Sequence, residues 1–116
     1  MSKPMSIDLS MFDKLKQDMG EDYICELIDA YLADTSRTLE KIRQAVAEGK
    51  IDEMRRAAHS IKSTSANFGA VQFSSLAKDL EALGKSNTLK GASEILRSME
   101  TQYFQVARDL RKMRGA

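Results

Sequence analysis

After Pro4 the chain runs to its end without another proline. Proline in a helix interior costs about 3 kcal/mol, so every segment beyond position 4 is free to be helical. The breakers that remain are single glycines, and each stands at the end of a stretch whose apolar residues recur at three- and four-residue intervals. The β-branched residues are scattered instead of gathered into alternating runs, which leaves no strand pattern. Leu, Ala, Met, Lys and Glu fill the intervals, as helices prefer.

Five helices follow from this spacing. Asp8 or Ser10 caps a short one that runs to about Met19, with Leu9, Phe12 and Leu15 on its apolar side and Gly20 closing it. Glu21 and Asp22 open a long one, whose stripe is Ile24, Leu27, Tyr31, Thr35, Leu39, Ile42 and Val46, stopped by Gly49. The third begins near Ile51 and carries Met54, Ala58, Ile61, Ser65 and Phe68, with Gly69 as its left-handed cap. The fourth carries Phe73, Leu76, Ala77, Leu80 and Leu83 and is expected to end at Gly84. Ser86, Asn87 or Thr88 then caps the fifth, with Ala92, Ile95, Met99, Tyr103, Val106, Leu110 and Met113 on one side. Four long amphipathic helices with short connections predict an all-α fold, an antiparallel four-helix bundle with a short N-terminal lid helix. The 116 residues make one domain over 8–116, and residues 1–7 are expected to be a flexible N-terminal tail.

Charge and cysteine content narrow the function. Eighteen Lys and Arg against seventeen Asp and Glu leave a net charge of +1, which argues against a nucleic-acid binder. The basic C-terminal run of Arg108, Arg111, Lys112 and Arg114 is expected to serve the helix dipole. One cysteine, Cys25, excludes an internal disulfide and any multi-cysteine metal site. No stretch approaches transmembrane length and none near the N-terminus resembles a signal peptide, so no membrane contact and a cytoplasmic location are expected. A bundle that buries its own stripes is expected to be a monomer. No Gly-rich phosphate loop is present, so neither an ATP site nor an enzymatic activity is expected.

The single histidine, His59, lies roughly 130° from the centre of the third helix's apolar stripe and is predicted to be exposed. A free imidazole titrates near about 6.5, so at neutral pH one ring nitrogen offers a lone pair. Lys62 follows at i+3, Ser63 at i+4 and Ala66 at i+7, with Arg55 and Arg56 one turn back. This places a nucleophile beside a cation and a low rim over which a partner surface can approach. Rotation alone leaves two readings open, an ordinary surface residue or a phosphoryl acceptor. Arg55 and Arg56 likewise either steer an acidic partner or pair with Asp52 or Glu53. A metal centre in the bundle is not expected, since the residue three before His59 is Arg56 where a Glu-x-x-His pair would be needed.

The run Ala58-His59-Ser60-Ile61-Lys62-Ser63-Thr64-Ser65-Ala66-Asn67-Phe68-Gly69-Ala70 resembles the signature of histidine phosphotransfer (HPt) domains, and Leu80-Glu81 resembles the Leu-Glu of the family's next helix. The resemblance extends over essentially the whole chain. It implies that His59 is the phospho-acceptor and that Lys62 sits beside the phosphoryl group, on a face formed with Arg55, Arg56, Ser63 and Ala66. Gly69 matches the end of the active helix. Ser63 departs from the family's usual glycine, which bears on how closely a partner docks.

The implied activity is that of a phosphorelay intermediate in two-component signalling. His59 would accept a phosphoryl group from the receiver domain of a hybrid sensor histidine kinase and pass it to the aspartate of a response-regulator receiver. No cofactor is expected in this chain, and Mg²⁺ belongs to the partner receiver. The alternative is a helical adaptor that binds a receiver, or another partner, without phosphotransfer. On the relay reading, where Lys62 stabilises the phosphoryl group, Lys62→Ala is expected to slow transfer and leave thermal stability nearly unchanged.

Overall fold

The structure, a computed structural model, describes residues 6–115. It comprises α1 (Leu9–Met19), α2 (Glu21–Glu48), α3 (Ile51–Asn67), α4 (Val71–Lys85) and α5 (Ala92–Met113). The four long helices form a ring in which α2 touches α3 and α5, and α4 touches α3 and α5. Neighbours run antiparallel. Tyr31 meets Ser65 across α2 and α3, while Tyr103 of α5 and Arg114 at its C-cap reach Leu32 and Asp29 of α2. The 28 residues of α2 span about 42 Å at about 1.5 Å each, and the molecule's longest dimension is 41 Å. Among the described residues no helix is long and apolar enough to cross a membrane.

The stripes meet in one core, with Ile28, Ile42, Met54, Ile61, Phe73, Leu80, Met99 and Leu110 fully buried. The buried arc of α2 is wider than its expected stripe and takes in Ile28, Leu32 and Ala45, because this helix packs against α1, α3 and α5 together. Two hydroxyls lie inside: Tyr31 Oη and Ser65 Oγ share a 2.6 Å hydrogen bond, beside Tyr31 stacked on Phe68. Burial pushes the Tyr31 phenol up to about 12. A paired polar group is tolerated in an apolar core, and this one pins α2 and α3 in register.

Gly69 has φ +81° and closes α3. Its N–H donates to Ala66 O and that of Ala70 to Ser65 O, the two bonds of a Schellman cap. The expected end of α4 is different. Gly84 lies inside the helix, and the chain turns at Asn87, the only non-glycine with positive φ among the described residues. Asn87 takes over because its short polar side chain tolerates the left-handed region. The start of α5 also differs from expectation: its N-cap is Gly91, while Thr88 Oγ1 accepts from Lys90 N–H within the loop.

Asp8 is the cap of α1, its carboxylate accepting from the amides of Ser10 and Met11. Phe12 is buried, and α1 lies against α2 and α3 alone. Ser6 and Ile7 are part of the domain and not of a flexible tail. Ile7 is buried, and Asp109 of α5 accepts from both the amide and the hydroxyl of Ser6. Residues 1–5 of the expected tail, and Ala116, lie outside the described residues.

Candidate functional site

The site is built where α4 comes closest to α3. A methyl group on Gly84 would stand 2.6 Å from Arg55 Cβ, so only glycine allows this approach. Ser74 Oγ donates to the carbonyl of Lys62 at 2.8 Å, drawing in the other end of α4. Ala77, fully buried, lies between them. Positions 74, 77, 81 and 84 fall on one face of α4, so Glu81 is pressed into the same seam.

Glu81 is 4% exposed, and both its oxygens are occupied from α3. Lys62 Nζ donates to Oε1 at 2.6 Å, and His59 Nδ1 lies 2.6 Å from Oε2. The Lys62 ammonium, followed by the His59 ring, holds the Glu81 carboxyl below the usual carboxylate range against the opposing effect of burial. An ionised carboxylate only accepts, so the ring nitrogen facing it carries the proton. The other nitrogen, Nε2, is the one that bears the lone pair in the neutral form of this ring, and it has no partner among the described residues. The His59 side chain is 59% exposed, as its rotation on the helix predicts. The arrangement is a nucleophilic nitrogen presented to solvent on a ring whose tautomer and orientation are set from behind.

Lys62, expected beside the phosphoryl group, also has a carboxylate partner within the chain. It is 30% exposed and tied to Glu81. Arg55 and Arg56 both pair with Asp52, at 2.6 and 2.9 Å, and Glu53 takes no part. Arg55 is further committed to packing under Gly84, whereas Arg56 remains largely exposed. Ser63 is exposed, one turn beyond His59. Ala66 is half-buried and, with Asn67, lines a shallow groove against Met11 and Leu15 of α1. Thus α1 extends the His59 face toward the C-terminal end of α3. Gly69 belongs to this end as well, because the amide of Asp8 donates to its carbonyl at 2.7 Å.

Glu81 is the residue that sequence reasoning matched to the family without assigning it a role. The available signal was its position: it stands at i+4 from Ala77 and i+8 from Phe73, among the apolar residues of α4. An acid on a buried stripe requires a cationic or hydrogen-bonding partner across the interface.

Over 87 residues, 75% of its length, the chain is 25% identical to the phosphorelay protein LuxU of Vibrio cholerae, covering 77% of that protein. It superimposes with a TM-score of 0.89 on the crystal structure of histidine-containing phosphotransfer protein B (HptB) from Pseudomonas aeruginosa. The match covers 97% of this chain and 96% of that one at 27% identity. Residues 26–115, which hold α3, α4 and the His59–Glu81–Lys62 cluster, match the Hpt domain family, and the chain belongs to that family.

Proposed function

We propose that the chain is a phosphorelay intermediate in which His59 Nε2 carries the phosphoryl group. The observation that carries this reading is the pairing of His59 Nδ1 with the buried Glu81 carboxylate. Membership of the Hpt family and the likeness to LuxU and HptB support it. The donor is the aspartyl phosphate of a receiver domain belonging to a hybrid sensor kinase, and the acceptor is the aspartate of a response-regulator receiver.

In the loading step the Nε2 lone pair attacks phosphorus in line, the N–P bond forms and the P–O bond to the receiver's aspartate breaks. The bonding electrons leave with that carboxylate. The ring keeps its proton on Nδ1 and becomes cationic, and Glu81 stabilises the charge through the hydrogen bond already in place. In the unloading step the same ring departs as a neutral imidazole, so no proton has to be moved in either direction. Lys62 lies on the same shoulder on a flexible stem, and its ammonium offsets the charge of the incoming phosphoryl oxygens. Mg²⁺ is expected only in the partner receiver. Ser63, Ala66 and the exposed Arg56 form the surface on which the receiver lands. One bundle, acting as a monomer in the cytoplasm, suffices for these steps.

The test is to incubate the purified protein with ATP and a panel of hybrid sensor kinases, comparing wild type with His59→Gln. Acid-labile label on wild type that is absent from the variant is the expected result. Receiver binding by both proteins with label on neither would replace this proposal with the adaptor reading.

A further inference from the structure

On the opposite side of the bundle, we infer that the outer face of α5 docks an acidic amphipathic helix of a second protein. Phe104 is 73% exposed, more than any other large apolar side chain among the described residues. A single apolar residue on a surface is ordinary, and exposure by itself would mean little. The surroundings of Phe104 are not ordinary. It borders a groove of about 370 Å³ between α2 and α5, together with Leu39, Tyr103 and Ala107, and with Arg43 and Arg111 at its edges.

Three arginines share the outer face of α5 with Phe104, as does Glu100, which is bridged by Arg43 of α2. Arg97, Arg108 and Arg111, at i−7, i+4 and i+7, lie within roughly 40° of it about the helix axis. All three are exposed. Arg97 and Arg111 make no ion pair among the described residues. Arg108 has only a 3.4 Å contact with Asp109, whose other oxygen holds Ser6. Arg43 differs, being neutralised by Glu40 and Glu100. With Glu40 and Glu100 set against Arg43, a chain with a net charge of only +1 still holds an excess of positive charge around the most exposed aromatic ring among the described residues.

Electrostatics selects the occupant. A second copy docked antiparallel through Phe104 would set Arg97 against Arg111 twice. The Arg108–Glu100 pairs it also forms would have to compete with the Arg43–Glu100 bridge already in place. A parallel pairing would set each arginine against itself. Either arrangement opposes like charges. A continuous polyanion would meet Glu40 and Glu100, which also line the groove. An acidic helix avoids both conflicts, because its carboxylates can stand about one turn apart, opposite the arginines, while an apolar stripe covers Phe104. The α2–α5 seam lies across the ring from the α3–α4 seam that holds His59, so both surfaces can be occupied together.

The experiment uses the full chain and a fluorescein-labelled synthetic helical peptide with glutamates flanking a leucine stripe. Binding is followed by anisotropy and mapped by ¹⁵N chemical shifts. The expected result is saturable, salt-sensitive binding that shifts α5 resonances. Reversing both Arg97 and Arg111 to Glu should weaken it about tenfold or more, and Phe104→Ala several-fold. His59→Gln should leave it unchanged, which separates this proposal from the relay itself. Absent binding, binding indifferent to these substitutions, or shifts centred on His59 would overturn the proposal. So would Phe104-dependent dimers in sedimentation, or Phe104-dependent binding of anionic vesicles or an RNA oligonucleotide in place of the peptide.

Discussion

At the scale of single residues, Glu81 serves both ends of the site: one oxygen faces the nucleophile's ring and the other its neighbouring ammonium. Glu81→Gln keeps an acceptor for the ring and loses the charge that makes the bond strong, so phosphoryl transfer from a phosphorylated receiver should slow about tenfold, a difference of about 1.4 kcal/mol. Glu81→Ala should slow it further. Because the chain has one histidine, its ¹⁵N spectrum reports the tautomer directly. A spectrum unmoved by Glu81→Ala would show that Glu81 does not position the ring. Lys62 has a structural share that its spacing on α3 does not suggest. Lys62→Ala leaves a nearly buried carboxylate with one partner, and should cost about 1–2 kcal/mol as well as slowing transfer. A calorimetric Tm lowered by roughly 4–8 °C at neutral pH, with the gap closing once Glu81 is protonated, is the expected outcome. An unchanged Tm would return Lys62 to the surface role expected of an exposed lysine.

The scale of elements is where the two internal glycines of the α3–α4 unit separate. Gly69 is required twice over, by a φ of +81° and by the Asp8 carbonyl, which would lie 2.6 Å from an added methyl group. Gly69→Ala should therefore destabilise by about 2 kcal/mol or more, from strain and from displacement of α1. For Gly84 the helix and the interface disagree. Intrinsic propensity predicts that Gly84→Ala gains about 1 kcal/mol. The 2.6 Å approach to Arg55 Cβ predicts a loss of about 1–3 kcal/mol, because a side-chain root cannot swing away as a side-chain tip can. Denaturant unfolding decides the sign, and a more stable variant would mean that the seam has slack. A destabilised variant should also lose transfer rate, since the same seam seats Glu81 under His59.

Taken as a whole, the molecule holds four carboxylates below their ordinary range among the described residues. Asp8 and Asp52 are held there by partners on their own helices, Glu81 and Asp109 by partners that tie separate segments together. Asp8 caps α1 and is lowered chiefly by the Ser10 hydroxyl. Glu81 ties α4 to α3 through Lys62. At Asp109 burial acts to raise the value, and the Ser6 hydroxyl and amide with Arg108 outweigh it. A carboxyl with a lower pKa folded than unfolded takes its proton later in the folded state. Its contribution is thus complete above the unfolded value of about 4 and is lost as the pH falls through and below it. Stability should be flat from neutral to mildly acid pH and should fall below about 4, and Asp109→Asn should flatten part of that fall. Urea titrations across this range check it. Stability rising toward acid pH would contradict the assignment.

The helices, their apolar stripes and the exposure of His59 were legible in the sequence, because each depends on a rotation of about 100° per residue within a single helix. The turn at Gly69 was legible for a similar reason, being chemistry local to a few residues. What the sequence did not display is which faces meet and in what register. Glu81 and His59 are 22 positions apart, and Ser6 and Asp109 are 103 apart. Lys62 reads as a cation for the phosphoryl group alone and Gly84 as a stop signal when each is taken within its own helix. The close approach of α4 to α3 gives Lys62 its carboxylate and Gly84 its place in the seam. Periodicity determines what a helix turns toward the core, and only packing decides which side chain waits for it there.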